Sequence, residues 1–155
     1  MKRILLVFFV SFFFVQSASA GGLSTTFGEV LVEDLRIGEA YSMEKEAKVP
    51  LIITNTSNQE VKLKIEVLTP QESELKESFE AIPDIGWVEL SQNEFVIGSG
   101  QSIKTDVIIS IPDDEKYLDK KYQVFIWSYT VGRSIGLGLK SKLLFSTRKA
   151  ETESR

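Results

Sequence analysis

The chain has 155 residues, with 18 Lys and Arg against 22 Asp and Glu, a net charge of −4, and neither histidine nor cysteine. An acidic chain is a poor ligand for polyanions, because nucleic-acid binding relies on Lys and Arg neutralising phosphates, and no basic stripe with interleaved aromatics is present. The missing histidine and cysteine remove Ser-His-Asp and Cys-His catalysis, the common zinc sites and any disulfide, and no cofactor is expected.

The first predicted element is a leader. Met1-Lys-Arg3 precedes an apolar run from Ile4 to Val15 with five phenylalanines, and Gln16-Ser-Ala-Ser-Ala20 places small residues at both positions of an A-x-A cleavage site. The run is about a dozen residues, short of the roughly 20 that a membrane-spanning helix needs. Cleavage after Ala20 is therefore expected, with an uncleaved anchor as the alternative, and no cysteine at that point offers a lipid attachment site. Loss of Lys2 and Arg3 would leave 16 basic against 22 acidic residues, a charge of −6. The expected product is periplasmic or secreted and not membrane-inserted: one domain over residues 21–147, then a flexible charged tail over 148–155.

Beyond the leader, apolar alternation with period two recurs and no helical period is sustained. Strands are predicted at Phe27 to Leu35 and at Val49 to Asn55, the second closed by the turn Asn55-Thr-Ser-Asn58. In the next, Val61, Leu63, Ile65 and Val67 alternate with Lys62, Lys64 and Glu66, as in a strand with one face on a core and one in water. Gln71 to Ala81 is charged and reads as an exposed loop or one short helical turn. Short strands follow at Trp87 to Leu90 and Glu94 to Ile97, and a longer alternating one runs from Ile103 to Ile111. Tyr122 to Val131 is apolar on both faces, as expected of a central strand, and Leu137 to Thr147 closes the domain, predicted to lie at a sheet edge. Seven to nine short strands without intervening helices predict an all-β, immunoglobulin-like antiparallel β-sandwich.

The residues Gly38-Glu-Ala-Tyr41, Val49-Pro-Leu-Ile-Ile-Thr-Asn-Thr-Ser57, and Gly100-Gln-Ser102 leading through an alternating strand to Ile111-Pro112 resemble those of secreted bacterial immunoglobulin-like domains. They are similar to the N-terminal domain of periplasmic pilus chaperones and to domains of WxL-interacting cell-surface proteins. The resemblance implies a sandwich that handles other proteins. Pilus chaperones resemble two such domains in tandem, and only one fits here. Their carboxylate-anchoring basic pair has no clear counterpart, since Arg36 is the only basic residue between Gly21 and Met43.

Four constellations offer sites. Arg133, Ile135, Leu137 and Leu139 lie at the glycine-rich tip and start of the last strand, where a sheet edge would pair with a strand of an envelope or surface protein; an ordinary closing hairpin is the alternative. Trp87 between Asp84 and Glu89 would suit a cell-wall glycan, or else is a packed Trp beside solvated loop acids. Phe125, Trp127 and Tyr129 share one face of the central strand, as an exposed sugar-holding row or, as expected, through packing on both faces. Asp113, Asp114 and Glu115, with Asp119 beyond, could gather calcium but read first as turn residues bonding their own backbone. Asn55-Thr-Ser57 fits the N-glycosylation pattern and reads as an unmodified turn. The expected function is non-catalytic binding of an envelope or surface protein; a glycan-binding module and a chaperone for surface-appendage subunits are the alternatives.

Overall fold

A computed structural model describes residues 14–20 and 22–151. In chain order the strands are β1 (Phe14–Ala20), β2 (Leu23–Leu35), β3 (Ala40–Ser42), β4 (Leu51–Asn55), β5 (Val61–Leu68), β6 (Glu80–Ala81), β7 (Val88–Leu90), β8 (Glu94–Ile97), β9 (Ser102–Thr105), β10 (Val107–Ser110), β11 (Lys121–Val131) and β12 (Gly138–Thr147). Short 3₁₀ turns occupy Glu72–Glu74, Ile85–Trp87 and Glu115–Tyr117, and there is no α-helix among the described residues. The fold is an immunoglobulin-like β-sandwich. One layer runs β8-β5-β11-β12 to the C-terminal part of β2; the N-terminal part of β2 continues through β4 and β9 into the other, which β3-β10-β7 extends.

Strand β2 belongs to both layers. Leu23 to Thr25 pair antiparallel with β4, whereas Glu29 to Leu35 pair parallel with β12. Where β2 leaves β4, the buried hydroxyl of Thr25 donates to the Ile52 carbonyl (2.6 Å) and accepts the Phe27 amide (3.0 Å), so the switch leaves these backbone groups satisfied. Phe27, fully buried, is planted at that crossing. A second break separates β9 from β10 at Asp106. Its carboxylate accepts the Ser42 hydroxyl and the Glu44 amide (2.9 Å), and its own amide donates to Ser91 Oγ (2.9 Å).

The expected leader falls partly outside the described residues, which exclude 1–13. Its remainder forms β1, antiparallel to β2 from Phe14 opposite Leu31 to Ala20 opposite Leu23. Cleavage after Ala20 would uncover that edge of β2. At the other terminus, Arg148, assigned above to the flexible tail, is tied in: its amide donates to the Leu35 carbonyl (2.8 Å), and its guanidinium pairs with Asp34 (2.9 Å).

Period-two alternation on β11 sends Tyr122, Val124, Ile126, Ser128 and Thr130 into the core, all buried. Two hydroxyls in that core, on Ser128 and Ser141, have no hydrogen-bond partner. An unpaired buried hydroxyl carries an uncompensated desolvation cost, so Ser128→Ala and Ser141→Ala should each be neutral or stabilising by about 1 kcal/mol. In thermal melts, a lower Tm for either variant would show that its hydroxyl is bonded after all.

Candidate partner-binding edge and aromatic face

The structure corrects the position of the last strand. β12 is no edge: it lies between β11, antiparallel, and β2, parallel. The parallel pairing depends on the layer switch in β2, which brings together residues far apart in sequence. Of the four expected partner-binding residues, Leu139 is only 3% exposed and belongs to the core, and Leu137 is partly buried against it. Only the tip residues remain candidates. Ile135 is 79% exposed, and Arg133 Nη2 donates to Gln59 Oε1 (2.9 Å).

With β1 on β2, the free edge of this layer is β8, which pairs with β5 and with no strand on its other side among the described residues; cleavage after Ala20 would open the β2 edge as a second. Val96 is 60% exposed on it. Lys62 of β5 is the register partner of Val96 on one side and of Val131 on the other, so an exposed row Val96-Lys62-Val131 crosses three strands. Phe95, Gln92 and Glu94 continue a shallow groove along the edge, and the hairpin tip carrying Ile135 rises from the end of β11. No sequence signal separated β8 from β12 as the edge strand; the short, half-apolar run Glu94 to Ile97 gave only its existence.

Trp87 is also corrected as a sugar platform. It is 6% exposed, with its ring edge-on to Tyr117 (centroids 4.7 Å apart) and to Tyr122 (5.5 Å). Asp84 caps the turn before it, accepting the Gly86 amide (2.7 Å), and Glu89 is exposed on β7. In the acidic loop, Asp114 accepts the Lys116 amide (3.1 Å) and pairs with its ammonium (2.9 Å); hydrogen bonds from Lys116 hold its carboxyl below the usual range. No group of three potential ligands able to hold a metal occurs among the described residues.

The charged connection over residues 69–81 is a strap across the outer face of β11, β12 and β2. The Lys76 amide donates to Gln123 Oε1 (2.8 Å), and Gln123 Nε2 donates to the Glu74 carbonyl (2.9 Å), which buries Gln123 completely. Ion pairs fasten it: Lys76 to Glu29, which also meets Lys142 (3.4 Å), and Glu74 to Lys140 (2.9 Å). The Lys140 ammonium lies over the Phe125 ring (4.7 Å), so Phe125 is buried on an outward face as the strap's floor. The hydrogen bond from Lys76 lowers the Glu29 pKa; that from the Gln71 amide, then Lys140, lowers that of Glu74. Carboxylates with depressed folded pKa values stabilise fully above the unfolded value, about 4.3, and lose that contribution as pH falls through the folded one. The strap is therefore expected to stay down from pH 7 to 5 and to loosen below about pH 4. Hydrogen exchange of residues 71–79 at pH 7 and 3.5 checks this, and equal protection at both, after correction for intrinsic rates, would contradict it.

The sequence matches no protein-family model and no curated protein. Solved structures share its fold. The ASH/PapD-like domain 7 of human CEP192 superposes with a TM-score of 0.62 at 14% identity, over 97% of this chain and 99% of that one. A putative carbohydrate-binding protein from Bacteroides ovatus gives 0.61 at 14% identity, over 83% of this chain but 37% of its own. The E. coli chaperone DraB gives 0.54 at 12% identity, over 84% of this chain and 57% of its own. At these identities the likeness establishes a PapD-like immunoglobulin fold shared with pilus chaperones, and the chain spans little more than half of DraB.

Proposed function

We propose that this chain is an exported, non-catalytic interaction domain that binds an envelope or surface protein along β8 and the adjacent hairpin tip. The observation that carries the reading is the set of exposed apolar side chains at and beside an edge strand unpartnered among the described residues: Val96 at 60% exposure on β8, Val131 at 38% across Lys62 on β11, and Ile135 at 79% on the tip. An edge strand offers a row of backbone groups to an incoming strand, and flanking apolar side chains supply selectivity. The fold it shares with DraB, a chaperone, favours a protein as the ligand. Absence of histidine and cysteine supports the non-catalytic part, and the leader from Met1 to Ala20 supports export.

The test is crosslinking and pull-down of the tagged full chain from its native cell. One dominant envelope protein is expected with the wild type and at least a fivefold smaller yield with Val96→Lys and Ile135→Lys combined; the captured chain should begin at Gly21. Equal capture by the double variant would sink the β8 reading. A chain beginning at Met1 would refute the leader and keep β1 in the sheet.

A further inference from the structure

The outer face of β11 changes character beyond the strap. Gln123 and Phe125 are covered, but the next two outward side chains, Trp127 and Tyr129, stay partly exposed. Their rings lie within 22° of parallel with centroids 6.1 Å apart. That separation and angle are those of an offset-stacked aromatic pair, two rings aligned on one outward face of the strand. Gly138, the register partner of Tyr129, sets this arrangement. A Cβ there would fall 2.3 Å from the Trp127 indole, so only glycine lets the partly exposed indole lie against the β12 backbone.

The rim carries hydrogen-bonding groups of both kinds in neutral pairs. The Tyr129 hydroxyl donates to Glu66 Oε1 (3.0 Å), Lys64 pairs with that carboxylate (3.5 Å), and Lys140 pairs with Glu74 (2.9 Å). Matched charges disfavour a phosphate or a polyacid, which would need excess cations. An aromatic face without a deep groove gives an apolar peptide little to fill. A pyranose presents an apolar C–H face to an aromatic ring and a girdle of hydroxyls that need donors and acceptors together. We propose that Trp127 and Tyr129 form a stacking platform for a neutral saccharide chain on the outer face of the β5-β11-β12 layer. The platform adjoins the row at the β8 edge, since Val131 is the next outward side chain on β11 after Tyr129, but it is read through Trp127 and Tyr129 and uses neither Trp87 nor its acids.

The experiment titrates the full chain with cellohexaose, xylohexaose, mannohexaose, chitohexaose and laminarihexaose, reading iodide quenching of tryptophan fluorescence. Trp87 is buried, so quenching reports Trp127. At least one saccharide is expected to protect it saturably. Trp127→Ala and Tyr129→Ala, read by calorimetry, should each weaken that binding by at least about tenfold, the loss of roughly one good ring contact. Ile135→Lys should bind the saccharide as the wild type does. Should Trp127→Ala fail to fold, Tyr129→Ala and Glu66→Gln carry the test, with Tm as the folding control. The platform is overturned if none of the five saccharides protects Trp127, or if the folded variants bind as tightly as the wild type. Loss of protein capture in Val96→Lys, Ile135→Lys leaves this outcome unaffected, so the two readings fail independently.

Discussion

Asn55→Asp is expected to lower the Tm by roughly 10–15 °C, the effect of losing about 4 kcal/mol in a domain of this size. Asn55 is fully buried at the end of β4. Its Nδ2 donates to three carbonyls, Gln59 (2.7 Å), Ile97 (3.0 Å) and Gly98 (3.2 Å), and its Oδ1 accepts the Ser57 amide (3.0 Å) and hydroxyl (2.7 Å). One side chain thus ties the β4–β5 turn to the end of β8, and so joins the two layers. Aspartate would turn its second oxygen toward those three carbonyls, placing part of a buried charge among acceptors while only the first oxygen keeps its donors on Ser57. Asn55→Ala removes the repulsion but leaves the same groups unpaired, and should cost about 3 kcal/mol. Thermal melts of both variants decide the matter; a fall below about 3 °C for Asn55→Asp would show that the turn rearranges to supply other partners. The same geometry closes the glycosylation pattern at Asn55-Thr-Ser57, because the amide that would carry a glycan is already committed to the interior.

How much of this was legible in the sequence follows from the range of each interaction. Strand β5 was readable because alternation of Val61, Leu63 and Ile65 with Lys62 and Lys64 is local, and β11 because an apolar run on both faces marks a central strand, although its outer face is covered only as far as Phe125. The layers were readable for the same reason. Neither the β2 switch nor the parallel pairing of Glu29 with Lys142 leaves a local trace, since each depends on a partner over a hundred residues away. The edge was therefore assigned to β12 instead of β8. Trp87 failed differently: an aromatic between two acids looks the same whether the ring points to solvent or to Tyr117 and Tyr122. The charged segment 71–81 read as an exposed loop or one short helical turn, and it holds the 3₁₀ turn Glu72–Glu74, but its attachment to Gln123 could not be seen, because a glutamine on a central strand carries no sign of what will bond it.

The hairpin gives the sharpest separation between interior and surface. Leu139→Asp should lower the Tm by about 15 °C or more, whereas Ile135→Asp, four residues earlier, should leave the Tm within about 2 °C. Leu139 is 3% exposed among core side chains, and a carboxylate there must either be desolvated without a partner or be protonated, at a cost on the order of 4–5 kcal/mol. That is a large share of the roughly 5–15 kcal/mol by which such domains are stable. Ile135 is 79% exposed at the tip, and an exposed substitution usually changes stability by no more than about 0.5 kcal/mol. Circular dichroism and melting of the two variants separate stability from binding. If Ile135→Asp melts with the wild type and still loses the captured protein, the tip is a contact surface. If Leu139→Asp folds normally, β12 does not lie between β11 and β2, and the arrangement of both layers described here is wrong.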